Sequence, residues 1–408
     1  MSELDISEHL RPGDTVVIGQ AVGEPPILVE KLIDAARTIE GLTALCGYTL
    51  GDSWARVTPG HPMIKSYVGH AAMRNLDPEA FDVLPLHLSR LEDHIRTGRL
   101  AADVVLLQVG PADDDGFYNL GALVDYAVIA AGRARAVLVE VNENMPRTRS
   151  TRRLHRSQVT AEIESSRPLA SDPARPAAEV EKRVAANVAS IVPDGAVIQL
   201  GASALAEAVA VELRVRRGLR VRSGLVGDWL VGLHEAGALD ERPGSVVTGM
   251  ALGSKALYTW LDGSQIVEFM PMDEQIAPTV TAEFSPFVSI NSAVEVDLCG
   301  QLNSEMAGGR YVGAVGGQVD YFRAANRSPG GLAVVALAST SPKGTSRIVP
   351  ELSGGLVTSL KSDVDVVVTE WGIADIAACT LSERRERLLA VAHPDHRASV
   401  DDARRTVL

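Results

Sequence analysis

With 408 residues, 46% of them hydrophobic and 22% charged, the chain has the composition of a globular protein and the length of two domains rather than one. A net charge of −13 argues against a nucleic-acid partner, which calls for a basic face. The three cysteines, Cys46, Cys299 and Cys379, are far apart with no CxxC pair, so no disulfide framework or metal site is expected. Met1 to Arg11 contains no apolar signal core and no apolar run approaches the ~18 residues of a membrane span, so a reducing cytoplasm and no membrane partner are expected.

The first half reads as alternating strands and helices. Pro12-Gly13-Asp14 turns into a β-branched strand, Thr15 to Gly19, and a helix follows from about Pro26, where proline suits the first turn. Leu42 to Leu45 closes a second alternation. Asp103 to Gly110 and Ala136 to Val141 are near-continuous apolar runs, as in parallel strands buried on both faces. His87 and His155 have no partner at ligand spacing and read as structural histidines. Ser157 to Arg175 is polar and proline-punctuated and reads as the connection between domains, placed at 1–176 and 177–408.

The second half repeats the pattern. Val180, Val184, Val188 and Ile191 share a helical face, Ala196 to Gly201 is a strand, and a helix runs from about Leu205 to Leu213. "PGDTVVIGQAVGEP" and "PDGAVIQLGASALAE" share a turn, a strand, a glycine and a helix start, which suggests two similarly built α/β halves. The loop from Gly201 to Leu205 joins a strand end to a helix N-terminus. Its N–H groups suit a negatively charged thioester oxygen, or it is an ordinary βα turn. Phe287 to Val296 reads as one apolar strand. A glycine turn follows, Gly313 to Asp320, then a second apolar strand, Leu332 to Leu337. Such a turn presents backbone N–H groups to a ligand or serves as a tight corner.

"INSAVEVDLCGQLNSE", "GAVGGQVDYFRAA", "SRIVP", "DVVVTEWGIADI" and "VAHPDHR" together resemble the acetyl-CoA hydrolase/transferase family, relatives of 4-hydroxybutyrate and butyrate CoA-transferases with the class I CoA-transferase fold; "GPADDDGFYNLG" and "VNENMPRT" in the first half agree. The resemblance implies two α/β domains with the active site in the cleft between them. It implies coenzyme A, carried as acyl-CoA, with a small acid or water as co-substrate, no metal, and a homo-oligomer such as a homodimer. It likens Gly316 and Gly317, followed by Gln318, to the glycine pair facing the thioester carbonyl. Lys343 resembles a CoA-contacting lysine, and Glu370 resembles a second, non-nucleophilic active-site carboxylate, or it is a strand-end residue capping a helix that starts near Ile373.

The resemblance fails at one position. In relatives the strand after the Leu205–Leu213 helix ends in Ser/Thr-Glu, followed by Ser-Asp-Gly, and that glutamate attacks the thioester. Here the stretch is Arg222-Ser223-Gly224-Leu225-Val226-Gly227-Asp228-Trp229. Ser223 and Asp228 are retained, Gly224 stands in the glutamate's place and Trp229 replaces glycine. In Gln275-Ile276-Ala277-Pro278 the Asn-x-Pro of many relatives has lost its amide. The expectation is an acyl-CoA enzyme without a glutamyl-CoA intermediate, performing hydrolysis, C–C cleavage or acyl transfer to another nucleophile. The alternatives are a conventional CoA-transferase and a non-catalytic CoA-binding subunit.

Overall fold

The computed structural model describes residues 4–69, 73, 76–77, 79–277, 281 and 284–404. Pro278, part of the segment that lacks the asparagine, lies outside them. The chain forms two compact units, Met1–Pro173 with Arg242–Gln275, and Ala174–Glu241 with Ile276–Leu408.

In the first unit seven parallel strands form one sheet: β1 (Thr15–Ile18), β2 (Thr43–Cys46), β3 (Met63–Ser66), β4 (Phe81–Val83), β5 (Val104–Ala112), β6 (Ala136–Asn142) and β7 (Ala161–Ser165). Their order is β7-β6-β5-β1-β2-β3-β4. Val16, Val17, Val104, Val105, Leu138 and Val139 are fully or almost fully buried, because central parallel strands are covered on both faces. Strand β7 corrects the expected connection. Residues 161–165 alternate half-buried and exposed positions, the mark of an edge strand with one wet face, so a stretch polar enough to read as a linker is built into the sheet. Helix α1 (Pro26–Ala35) starts on proline, and the Ile27 N–H donates to Glu140 Oε2 at 2.8 Å.

The second unit holds β8 (Val197–Leu200), β9 (Arg220–Val226), β10 (Phe287–Asn291), β11 (Leu332–Ala336), β12 (Val366–Thr369) and β13 (Gly372–Asp375), in the order β13-β12-β11-β10-β8-β9. Adjacent strands from β12 to β9 are parallel and β13 is antiparallel. Three expectations change here. The Phe287–Val296 run breaks after Asn291, and Glu295–Asp297 joins a separate three-stranded sheet. Arg347 donates to the carbonyls of Ala293 and Val294 and holds the break open. Strand β9 continues past Ser223 to Val226. Ile373 begins no helix: it pairs with Val368 in the β12–β13 hairpin, and the next helix starts at Leu381 behind a Thr380–Glu383 capping box.

Candidate active site

Gly201, Leu205, Asp228, Lys343 and Glu370 follow the C-terminal ends of parallel strands in the second unit, where open α/β sheets leave room for ligands, whereas Gly316, Gly317 and Gln318 follow a short antiparallel pair, Met306–Ala307 with Arg310–Tyr311. Gly201 leaves β8 and leads into α3 (Ala204–Leu213), whose N-cap Ser203 accepts the Ala206 N–H. Leu205 is in the first turn, half-buried. Beside the Ala206 N–H that Ser203 takes, the N–H groups of that turn have no partner within the helix itself.

Gly224 lies within β9, half-buried, and offers no side chain. Its neighbour Ser223 is buried, with Oγ 2.6 Å from the Leu200 carbonyl oxygen and 2.9 Å from that of Leu225, so the backbone takes up its single proton. Asp228 is the N-cap of α4 (Trp229–Glu235). Trp229 is buried, and its indole N–H donates to the Gly201 carbonyl at 3.0 Å, tying the β8 and β9 loops together.

The glycine turn follows the antiparallel pair of Met306–Ala307 with Arg310–Tyr311. The N–H groups of Val312 and Gly313 both donate to the Glu305 carbonyl, and a Cβ on Gly313 would sit 1.9 Å from the Ser304 carbonyl oxygen, so only glycine fits. Gly316 has φ +56°, and Gly317 is the N-cap of α5 (Gln318–Arg327). The Gln318 side chain is buried and engaged: its amide N–H donates to Ser292 O at 2.9 Å, and its oxygen accepts from Ser304 and Ser359. What Gln318 offers a ligand is therefore its backbone N–H at the helix start.

Lys343 sits exposed on the turn Ser341–Thr345, and its ammonium makes no hydrogen bond or ion pair among the described residues. His396 lies behind the turn, with Nε2 2.9 Å from Gly344 O. Glu370 is the first residue after β12, and both its oxygens accept from Ser339, from the N–H at 2.8 Å and the hydroxyl at 2.7 Å. The Trp371 indole in turn donates to Ser339 Oγ at 3.1 Å.

One carboxylate escapes the reading of the sequence. Glu207, in α3, accepts the Trp229 backbone N–H on Oε1 at 3.1 Å. With Asp228, Lys182, Arg175 and Glu212 it lines a cavity of about 390 Å³. Burial pushes its carboxyl up to about 7, with the Asp228 charge adding to the rise and the Trp229 N–H opposing it. A larger cavity of about 1180 Å³ belongs to the first unit and is walled by the "GFYNLG" and "NENMPRT" segments, Tyr118, Asn119 and Arg147 among them; none of the expected site residues reaches it. Among the described residues no group of three His, Cys, Asp or Glu is placed to hold a metal, and no helix is long and apolar enough to cross a membrane.

The model of the acetyl-CoA hydrolase/transferase N-terminal domain matches residues 1–158, and that of the C-terminal domain matches 253–403. The 4-hydroxybutyrate coenzyme A transferase of Clostridium kluyveri is 35% identical over 97% of this chain and 94% of its own. RipA from Yersinia pestis superposes with a TM-score of 0.90 at 29% identity over 98% of this chain and 96% of that one. The 4-hydroxybutyrate CoA-transferase of Porphyromonas gingivalis does so with 0.82 at 30% identity, over 99% and 96%.

Proposed function

The chain belongs to the acetyl-CoA hydrolase/transferase family, enzymes that act on acyl-CoA thioesters, and we propose that it works on its thioester without a covalent glutamyl-CoA intermediate. The observation that carries this reading is Gly224: a nucleophile needs a side chain, and this position of β9 has none, while the Ser223 hydroxyl beside it is spent on the backbone. Water is then the simplest attacking group, and thioester hydrolysis the favoured reaction.

In this reading the N–H groups at the starts of α3 and α5, from Gly201 to Leu205 and at Gly316, Gly317 and Gln318, receive the charge that develops on the thioester oxygen. Lys343, exposed and unpaired among the described residues, offers its ammonium to a phosphate of coenzyme A. Glu370, with both oxygens accepting from Ser339, orients that loop, and Asp228 supplies negative charge beside the β9 tip. No metal takes part in this scheme. A cytoplasmic homo-oligomer agrees with the same reading.

A second reading has a specific observation behind it: the relative matched over nearly its whole length is named a transferase. It would move CoA between two carboxylic acids, with a nucleophile elsewhere than position 224. Intact-mass analysis of the protein after incubation with acetyl-, butyryl- and 4-hydroxybutyryl-CoA, with the products identified, separates the two. Free CoA and free acid with an unmodified protein support hydrolysis. A protein carrying CoA as a thioester overturns it.

A further inference from the structure

We propose that Glu207 is the general base that activates the attacking water, serving from α3 in place of the carboxylate that β9 lacks. This rests on the reading that the thioester is hydrolysed without a glutamyl adduct.

Four observations point to it. Glu207 lies at the C-terminal edge of the β8–β9 pair, because α3 begins where β8 ends and the β9 loop returns beside it. Its Oε1 is fixed by the Trp229 N–H, whereas Oε2 makes no hydrogen bond among the described residues and is left to hold a water. Glu207 lines a cavity of about 390 Å³, large enough for an acyl group and a water. Lastly, a Cβ on Gly227 would stand 3.3 Å from Oε1, so glycine there leaves room for that oxygen to reach the Trp229 N–H.

The competing role is a cap for α4. Asp228 stands at the N-cap position but its side chain makes no capping hydrogen bond, and Glu207 takes the first N–H of the helix through Oε1 alone. Glu207 reaches across from another helix and loses solvent in doing so. A carboxyl near 7 is the ionisation that suits proton transfer at neutral pH. The charged groups facing it are Asp228, which favours the protonated form, and Arg214, which favours the ionised one; Lys182, Arg175 and Glu212 line the same cavity.

The step balances as follows. Water oxygen bonds to the thioester carbon while one of its protons passes to Glu207. The tetrahedral intermediate then collapses, the C–S bond breaks, and the proton moves from Glu207 to the departing sulfur. The products are a carboxylic acid and CoA thiol.

The test compares wild type, Glu207→Gln and Glu207→Asp for release of free thiol from acetyl-, butyryl- and 4-hydroxybutyryl-CoA between pH 5 and 9, alongside urea unfolding and intact mass. The expected result is a wild-type acidic limb near pH 7. Glu207→Gln should lose about 10²-fold or more in kcat and shed that limb, with KM changed little, as removing a general base does. Glu207→Asp should keep the limb at reduced kcat. An unmodified protein with unchanged kcat in Glu207→Gln, whatever its stability, makes Glu207 a cap and overturns this proposal alone. A CoA adduct on the wild type overturns the hydrolytic reading first. No thiol release from any of the three thioesters overturns both.

Discussion

The indole of Trp229 donates to the carbonyl oxygen of Gly201 over 3.0 Å, joining the loop that opens α3 to the loop that opens α4. The resemblance to relatives puts glycine at position 229, so the large ring both fills the space and fastens two loops that glycine would leave independent. Trp229→Phe should keep most of the packing and lose the hydrogen bond, costing about 1 kcal/mol. Trp229→Gly should cost about 3–5 kcal/mol, as deleting a buried aromatic does. Urea unfolding of the full chain measures both, and a Trp229→Phe variant as stable as wild type would deny the bond any part.

Restoring a carboxylate to β9 tests what its absence does. Gly224→Glu should create a protein that gains the mass of CoA on incubation with acyl-CoA and loses it again with hydroxylamine, while the wild type gains nothing. An adduct of equal yield in the wild type would mean that another group already performs covalent transfer.

Glu370 holds Ser339 by two hydrogen bonds, and an amide can replace only one acceptor. Glu370→Gln should therefore lower stability by about 1–3 kcal/mol, since a buried donor is left unpaired. It should also lower turnover through the displaced loop. Unchanged turnover on every accepted acyl-CoA would remove Glu370 from the mechanism.

Gly313→Ala should displace the turn that carries Gly316 and Gly317, because its Cβ would fall 1.9 Å from a backbone oxygen that has no freedom to move aside. The expected signature is a raised KM for acyl-CoA together with a lower melting temperature. A variant with wild-type KM would show that the turn does not face the thioester.

Glu24 and Asp125 are buried acids of the first unit with no cation on them among the described residues. Burial raises Glu24 to about 7 against the Leu50 N–H and Trp54 indole N–H, and raises Asp125 to about 7 against the Ala127 N–H and the Gln20 amide. Each folded-state pKa lies above the unfolded value near 4, so the folded chain holds the extra proton between those values. Stability should be greatest below about pH 4 for these two groups and fall as pH rises to about 7, by on the order of 3 kcal/mol for each. Asp125→Asn and Glu24→Gln should each flatten that slope in urea unfolding between pH 4.5 and 7.5. A slope identical to wild type would mean that the acid stays ionised in the folded chain.

Much of this architecture is written along the chain. Strands β1, β5, β6, β8 and β11 are legible as near-continuous apolar runs because a parallel strand covered on both faces has few polar positions to interrupt it. Gly313 and Gly316 are legible because a close backbone approach at the first and a positive φ at the second favour glycine. The long ordered motifs carried the family. Four things were decided only by the tertiary structure. Ala161–Ser165 joined a sheet edge, where alternate positions face water and composition resembles a linker. The Phe287 run broke because Arg347, far along the chain, captured the carbonyls at its middle. Glu370 met Ser339 rather than a helix. Glu207 met Trp229 because the chain returns from α3 through β9 to lie beside the helix it has just left. A periodic pattern records which face of an element is buried. Which polar group a buried carboxylate meets depends on strand order and crossover, and those are properties of the folded sheet.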